Sequence, residues 1–324
     1  MSQYIAVDIG GTQMRAAVYN DDNLTPIVVD RISTRHPTLT PIERLYSLIA
    51  SIWPSNLEVT AIGVAAAGPL DPYAGIIREA PNITGWIDIP LRRNLEERFN
   101  VPVAVGNDAN MAALGEWKYG AGQGHHNLIY ITVSTGIGGG VIVADQLLLG
   151  AHGLAAELGH VTIVPDGPMC GCGHRGHLEA FSSGPAIARW AAEELKKGSP
   201  SILSTVPDLT AKAIGQAALR GDALAKSAIS RAGKYLGMAL ANYLHIFNPS
   251  IVIIGGGVSQ TGTLLMEPMR TSMQVNTFSP YYLEDLTLTT ASLGDDVGLV
   301  GALALAHSIV EGTLTLTPSC SNET

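Results

Sequence analysis

Two stretches of this chain share one plan, and the repetition narrows the folds open to it. Tyr4–Asp8 is an apolar run of strand length, Gly10-Gly11-Thr12 is a polar glycine turn, and Met14–Tyr19 is a second apolar strand. Leu128–Val133, Ser134–Gly140 and Val141–Ala144 repeat the strand, the turn and the return strand. A plan used twice implies two related domains rather than one, and 324 residues suffice for both.

Each hairpin is followed by alternating strands and helices. Ile27–Ile32 extends the first as a third strand, and Leu147–Leu149 extends the second. Helical spacing over 41–52 and 91–99 alternates with apolar strands over 59–66 and 101–105. Asn107-Asp108 then stands as the N-cap of a helix over 109–118. In the second half, helices are predicted over 184–197, 209–220 and 222–247. A strand over 251–254 closes in Gly255-Gly256-Gly257, and a helix over 264–276, a strand over 286–290 and a last helix over 297–310 follow. Hairpins continued by β-α-β units predict an α/β fold with mixed sheets and helices outside. Ligands in such sheets sit at the carboxyl ends of strands, where the polar turns fall.

Composition excludes several roles. A net charge of −9 argues against a dedicated nucleic-acid binder. Three cysteines, two of them in a Cys-x-Cys, make no disulfide framework and suit a reducing compartment. The first strand begins at once, without a signal-peptide pattern, and no apolar run is long enough to span a membrane.

The turns carry the chemistry. Glycines let backbone N–H groups approach an anion, so Asp8, Gly10, Gly11 and Thr12 form a candidate phosphate site, with Asp8 holding a metal-nucleotide through water. Ser134, Thr135, Gly136 and Gly138 offer the same chemistry in the second half, and Gly256 and Gly257 could pass an adenine or ribose. Neither turn is a Walker A loop or a dinucleotide fingerprint. The plainer alternative is ordinary hairpin and helix-entry turns. Asp108, on the first turn of a helix, is the candidate base that accepts a hydroxyl proton during phosphoryl transfer; its plainer alternative is an N-cap.

The stretch 157–179 gathers Cys and His side chains. His160, Cys170, Cys172 and His177 make a Cys2His2 set suited to a structural zinc ion, with His174 a rival for the fourth position and Cys320 a poor one. Glu157 and Glu179 bracket the loop and remain free to face a ligand.

Together, Asp8–Thr12, the Asn107–Asn110 helix start with Ala112–Glu116, Ser134–Gly140, Glu157–His160, the Cys-Gly-Cys-Gly loop and Ile254–Val258 resemble the ROK family of repressors, uncharacterised reading frames and sugar kinases. The resemblance implies a two-domain actin/hexokinase-like (ribonuclease H-like) fold with an ATP and sugar cleft between domains. One domain would be 1–118 with 297–312 returning to it, the other 119–296 with the zinc loop, and 313–324 a flexible tail. It implies ATP-dependent phosphorylation of a hexose, glucose foremost, with ATP and Mg2+ as cofactors and Asp108 as general base. Gly68, Asn107, Asp108, Glu157, His160 and Glu179 would bind the sugar, with the 82–86 loop nearby. His160 would serve both zinc and sugar through its two ring nitrogens. The family's usual third loop cysteine is His177 here. A cytoplasmic homodimer or homotetramer is the implied assembly, with no nucleic-acid or membrane partner. Mannose, fructose, allose or N-acetylmannosamine are alternative acceptors. A sugar-responsive repressor is the alternative of another class, disfavoured by the early first strand and the acidic charge.

Overall fold

The computed structural model describes residues 2–21, 23–55, 58–80, 82–314 and 316. Cys320, and most of the tail expected over 313–324, lie outside the described residues. In chain order the strands are β1 Gln3–Ile9, β2 Gln13–Asn20, β3 Val28–Ser33, β4 Val59–Ala66, β5 Leu70–Asp71, β6 Ile76–Glu79, β7 Ile87–Ile89, β8 Val103–Asn107, β9 Leu128–Val133, β10 Ile137–Val143, β11 Gln146–Leu147, β12 Ile251–Gly255 and β13 Thr287–Thr290. The helices are α1 Pro41–Ser51, α2 Leu91–Phe99, α3 Asp108–Tyr119, α4 Glu179–Ser182, α5 Gly184–Lys196, α6 Ala211–Leu219, α7 Ala223–Phe247, α8 Thr263–Asn276 and α9 Val297–Glu311. The chain falls into two compact units, Met1–Gly124 with Gly140–Ala156 and Ser292–Thr324, and His125–Gly139 with Glu157–Ala291. Residues 140–156, placed with the second domain by the sequence reading, thus cluster with the first unit.

The first unit is built on the sheet β3-β2-β1-β4-β8. β1 pairs antiparallel with β2 and parallel with β4, and β4 is parallel to β8. Both faces are covered, which is why β1 and β4 read as unbroken apolar runs. On one face Ile5, Val7, Ile9, Ile62 and Val64 join Leu45, Leu48 and Ile49 of α1 and Leu91 and Leu95 of α2. On the other lies α9, packed so closely that a methyl group at Gly63 would overlap the carbonyl of Ala302. Thr40 begins α1 with a capping box: its side chain accepts from Glu43 N, and the Glu43 carboxylate accepts from Thr40 N at 2.8 Å.

α3 and α9 cross at glycines. A side chain on Gly301 would overlap the backbone of Met111, and Gly115 faces Gly301. Just beyond the crossing, Glu116 is fully buried. Its carboxylate accepts the N–H groups of Ala121 (2.8 Å), Ser292 (2.9 Å) and Leu293 (2.9 Å) and the Ser292 hydroxyl (3.1 Å). Those bonds compensate the burial of a charge and join the end of α3 to the segment before α9.

The second sheet has the order β11-β10-β9-β12-β13, with β12 parallel to both β9 and β13. β12 is buried throughout. α7 and α8 pack along small residues, since side chains at Gly233 and Gly237 would strike the α8 backbone at Leu265 and Met269. The second glycine turn does not run to Gly140, because β10 already begins at Ile137. Gly138, Gly139 and Gly140 are strand residues. The small size of Gly139 and Gly140 serves packing, as a methyl group at Gly139 would press on Leu158 at 2.6 Å and one at Gly140 on Ala113 at 2.5 Å.

Candidate active site and metal site

In the first unit, β8 delivers Asn107 and Asp108 to the start of α3. Asn107 caps the helix, its Oδ1 accepting from Ala109 N at 3.0 Å and Asn110 N at 3.3 Å. Its Nδ2 donates to the carbonyl of Gly68 at 3.2 Å, so the two predicted sugar-binding residues are joined. Gly68 has φ +97°, a conformation that favours glycine. Asp108 is exposed, and its Oδ1 accepts from Ala109 N at 2.8 Å. Division of labour follows: Asn107 satisfies the helix end, and the Asp108 carboxylate stands at the positive end of α3, where an acceptor for a proton is accessible.

Asp8 closes β1 beside Arg15 of β2, its cross-strand partner. The Arg15 guanidinium donates to Asp8 Oδ2 at 2.7 and 3.2 Å, to Asp295 O at 2.7 Å and to Asp296 Oδ1 at 3.4 Å. Asp8 also lies against Gly298 in the first turn of α9. Arg15 was not among the predicted site residues; an arginine seven residues after the aspartate falls opposite it only because the hairpin register pairs them. The turn itself is tight. Gly10 N donates to Gln13 O at 2.9 Å, Thr34 ties down both Gly10 O and Thr12 O, and Gly11 has no room for a side chain beside Asn82. Thr12 is exposed at the tip.

In the second unit two of the predicted residues, Gly136 and Cys170, meet Glu179, the first residue of α4. Glu179 Oε2 accepts from Ile137 N at 2.9 Å and lies directly against Gly136, while Oε1 is 3.4 Å from Cys170 Sγ. The Ser134-Thr135-Gly136 turn is pinned from the other side by Gly184 N, which donates to Ser134 O at 2.8 Å. Ser134 and Thr135, both exposed, line a cavity of about 770 Å³ with Gly257, Gln260, Lys212 and Thr210. Lys212 and Thr210 come from the start of α6, and no local motif marks them. Gly257 reaches this cavity. Gly256 instead turns the chain at φ +83°, hard against the backbone of Val133. Gly138, within β10, stands apart from the turn.

Leu158–His160 forms a short 3-10 turn with Glu157 exposed at its head. It is held from beneath: Gly159 packs on the carbonyl of Ile137, and the buried hydroxyl of Tyr243 donates to Leu158 O. His160 then meets the cysteine loop. The ligand atoms of His160, Cys170, Cys172 and His177 all lie within 4.8 Å of one another. Cys170 Sγ is 3.8 Å from His160 Nδ1, and Cys172 Sγ is 3.2 Å from His177 Nδ1. The edges of a tetrahedral zinc site with these donors are ~3.3–3.8 Å, so the residues present fit such an ion. His174 Nδ1 is also 3.8 Å from Cys172 Sγ, and its ring stacks on His177. The loop is folded by its backbone as well: Cys170 N donates to His174 O at 2.8 Å, and Thr162 bridges to His177.

The two thiols differ. Burial pushes the Cys170 thiol up to about 12. Burial opposes ionisation of Cys172 too, but hydrogen bonds from His174, Cys170 and His177 outweigh it and draw that thiol down to about 6.

The chain compares closely with known proteins. The family model described as ROK family matches residues 4–309. A glucokinase of Thermotoga maritima is 37% identical over 314 residues, covering 95% of this chain and 98% of that protein. A xylose repressor of Caldicellulosiruptor bescii is 33% identical over 253 residues, covering 77% of this chain and 63% of the repressor. Among solved structures, a ROK family glucokinase from Streptomyces griseus in complex with glucose and AMPPNP aligns with a TM-score of 0.79 at 36% identity, covering 94% of this chain and 99% of that one. The matching motifs, the mixed-sheet α/β architecture and this similarity over nearly all its length establish that the chain belongs to the ROK family.

Proposed function

We infer that the chain is an ATP-dependent sugar kinase that phosphorylates glucose to glucose 6-phosphate. The observation that carries this is similarity along nearly all its length to glucokinases, one of them crystallised with glucose and a nucleotide analogue. In the reaction, the Asp108 carboxylate takes the proton from the sugar's C6 hydroxyl. The O6–Pγ bond forms as the bond from Pγ to the β,γ-bridging oxygen breaks, and ADP leaves with that oxygen. The exposure of Asp108 at the start of α3 supports this role. Asn107, Glu157, His160 and Glu179 hold sugar hydroxyls, and the Gly68 carbonyl keeps the Asn107 amide oriented. The cavity beside Ser134, Thr135 and Gly257 takes the nucleotide, and Asp8 serves the Mg2+ that accompanies it.

Zinc is proposed at His160, Cys170, Cys172 and His177, where it would cross-link the loop and take no part in the chemistry, since four protein ligands fill its shell. With Nδ1 of His160 nearest Cys170, its Nε2 is left for the sugar. Among the described residues, no helix is long and apolar enough to cross a membrane. A cytoplasmic homodimer or homotetramer of two-domain subunits is the assembly we propose, and sedimentation at assay concentrations tests it.

An ADP-release assay across a hexose panel with ATP and Mg2+ tests the function. Glucose is expected to give the highest kcat/KM; preference for mannose, fructose, allose or N-acetylmannosamine would move the substrate assignment within the family. Silence on every sugar would favour the second reading, a sugar-responsive regulator, which the repressor relatives motivate.

A further inference from the structure

Glu179 stands on a helix too short to hold itself. α4 has four residues, far fewer than an isolated helix needs, and the carbonyls at its end lack partners within it. Two arginines from different helices supply them. Arg189 of α5 donates through Nη2 to Ala180 O at 2.6 Å, and Arg231 of α7 donates through Nη1 to Phe181 O at 3.4 Å. Ser182 of α4 adds a bond from its hydroxyl to Ala232 O at 2.9 Å.

Arg231 is an expensive choice for a tether. Its guanidinium lies 4.9 Å from the ring centroid of Tyr235, 5.5 Å from Phe181 and 5.6 Å from Trp190. Burial depresses its pKa, so the site costs solvation that an apolar residue would not. Cation–π contacts offset part of that cost. What the charge gains is a hold on the C-terminal end of α4, where a cation also suits the helix dipole.

We propose that Arg231, seconded by Arg189, is a positioning residue for the sugar site: the two guanidinium groups lock the carbonyls of α4 so that the Glu179 carboxylate stays on Ile137 N–H and faces a hexose hydroxyl. The proposal rests on the reading of Glu179 as a sugar ligand. It assigns to Arg231 no contact with substrate.

The test is the steady-state kinetics of the full-length protein with glucose, ATP and Mg2+ for Arg231→Met, Arg231→Lys, Glu179→Gln and the double variant Arg231→Met/Glu179→Gln. Arg231→Met keeps the apolar stem. It should raise the glucose KM about tenfold and leave the ATP KM within about twofold. Arg231→Lys, which keeps the charge and a donor, should recover most of that loss. In the Glu179→Gln background, Arg231→Met should add no more than about twofold, because the two act through one group. Multiplicative effects, or equal rises in both KM values, would overturn the proposal. Should Arg231→Met not fold, Arg189→Met carries the same comparison from the exposed side. An unchanged glucose KM in Glu179→Gln would bring down the sugar-ligand reading and the proposal with it. A raised one there, with Arg231→Met at the wild-type value, would bring down the proposal alone.

Discussion

The Glu179 carboxylate accepts the backbone N–H of Ile137 at 2.9 Å, spanning 42 residues of sequence. One side chain therefore ties the start of β10, and the glycine turn before it, to the helix that follows the cysteine loop. Glu179→Ala leaves that N–H without its partner and removes a proposed sugar ligand. Glu179→Gln keeps an acceptor. We expect both to raise the glucose KM by about tenfold or more, with only Ala lowering stability, by about 1–3 kcal/mol. Thermal melts beside kinetics check this, and equal melting temperatures for Gln and Ala would contradict it.

His177 completes the Cys/His cluster proposed to hold zinc, with its Nδ1 3.2 Å from Cys172 Sγ. Elemental analysis of purified protein should find about one zinc per chain, and His177→Ala should lose most of it. His174→Ala should keep it, since His174 lies outside the four-residue cluster. Equal zinc in wild type and His177→Ala would remove His177 from the ligand set.

The thiols of the loop give a second readout. After chelation, Cys172 should be alkylated with a reactivity that rises through its depressed pKa of about 6. Buried Cys170, raised to about 12, should stay protonated and slow throughout neutral pH. Peptide mapping separates these two from Cys320. Added zinc should protect Cys172. Faster labelling of Cys170 than of Cys172 would contradict the assignment.

Glu116 accepts from three backbone N–H groups and one hydroxyl while fully buried. Glu116→Gln turns one acceptor oxygen into a donor amide facing donors. A loss of about 2–4 kcal/mol is expected in denaturant unfolding, and a change under about 0.5 kcal/mol would show that the network contributes little.

Much of this frame is legible in the residues themselves. The apolar runs and breakers mark Val59–Ala66, Leu91–Phe99 and Leu128–Val133 at the bounds the elements have, because strands buried on both faces read as unbroken apolar runs and a helix with one buried face shows its spacing. The small sheet β5-β6-β7 and the single turn α4 escape such reading, being too short to show one. Gly139 and Gly140 mislead for a different reason: glycine required for close packing looks the same as glycine required for a turn. At the site, Cys and His spacing announces the cluster. The pairing of Asp8 with Arg15 depends on hairpin register, and Lys212 reaches the cavity only through the packing of α6.

We propose phosphoryl transfer from ATP to the C6 hydroxyl of glucose with Asp108 as base. The direct measurement is formation of glucose 6-phosphate and ADP by wild type and by Asp108→Asn, with glucose binding followed in parallel. Wild type should form equal amounts of the two products, and Asp108→Asn should show a kcat lowered by about 10²–10⁴-fold with glucose affinity kept. Turnover of Asp108→Asn near the wild-type rate, or no glucose 6-phosphate from the wild type, would contradict it.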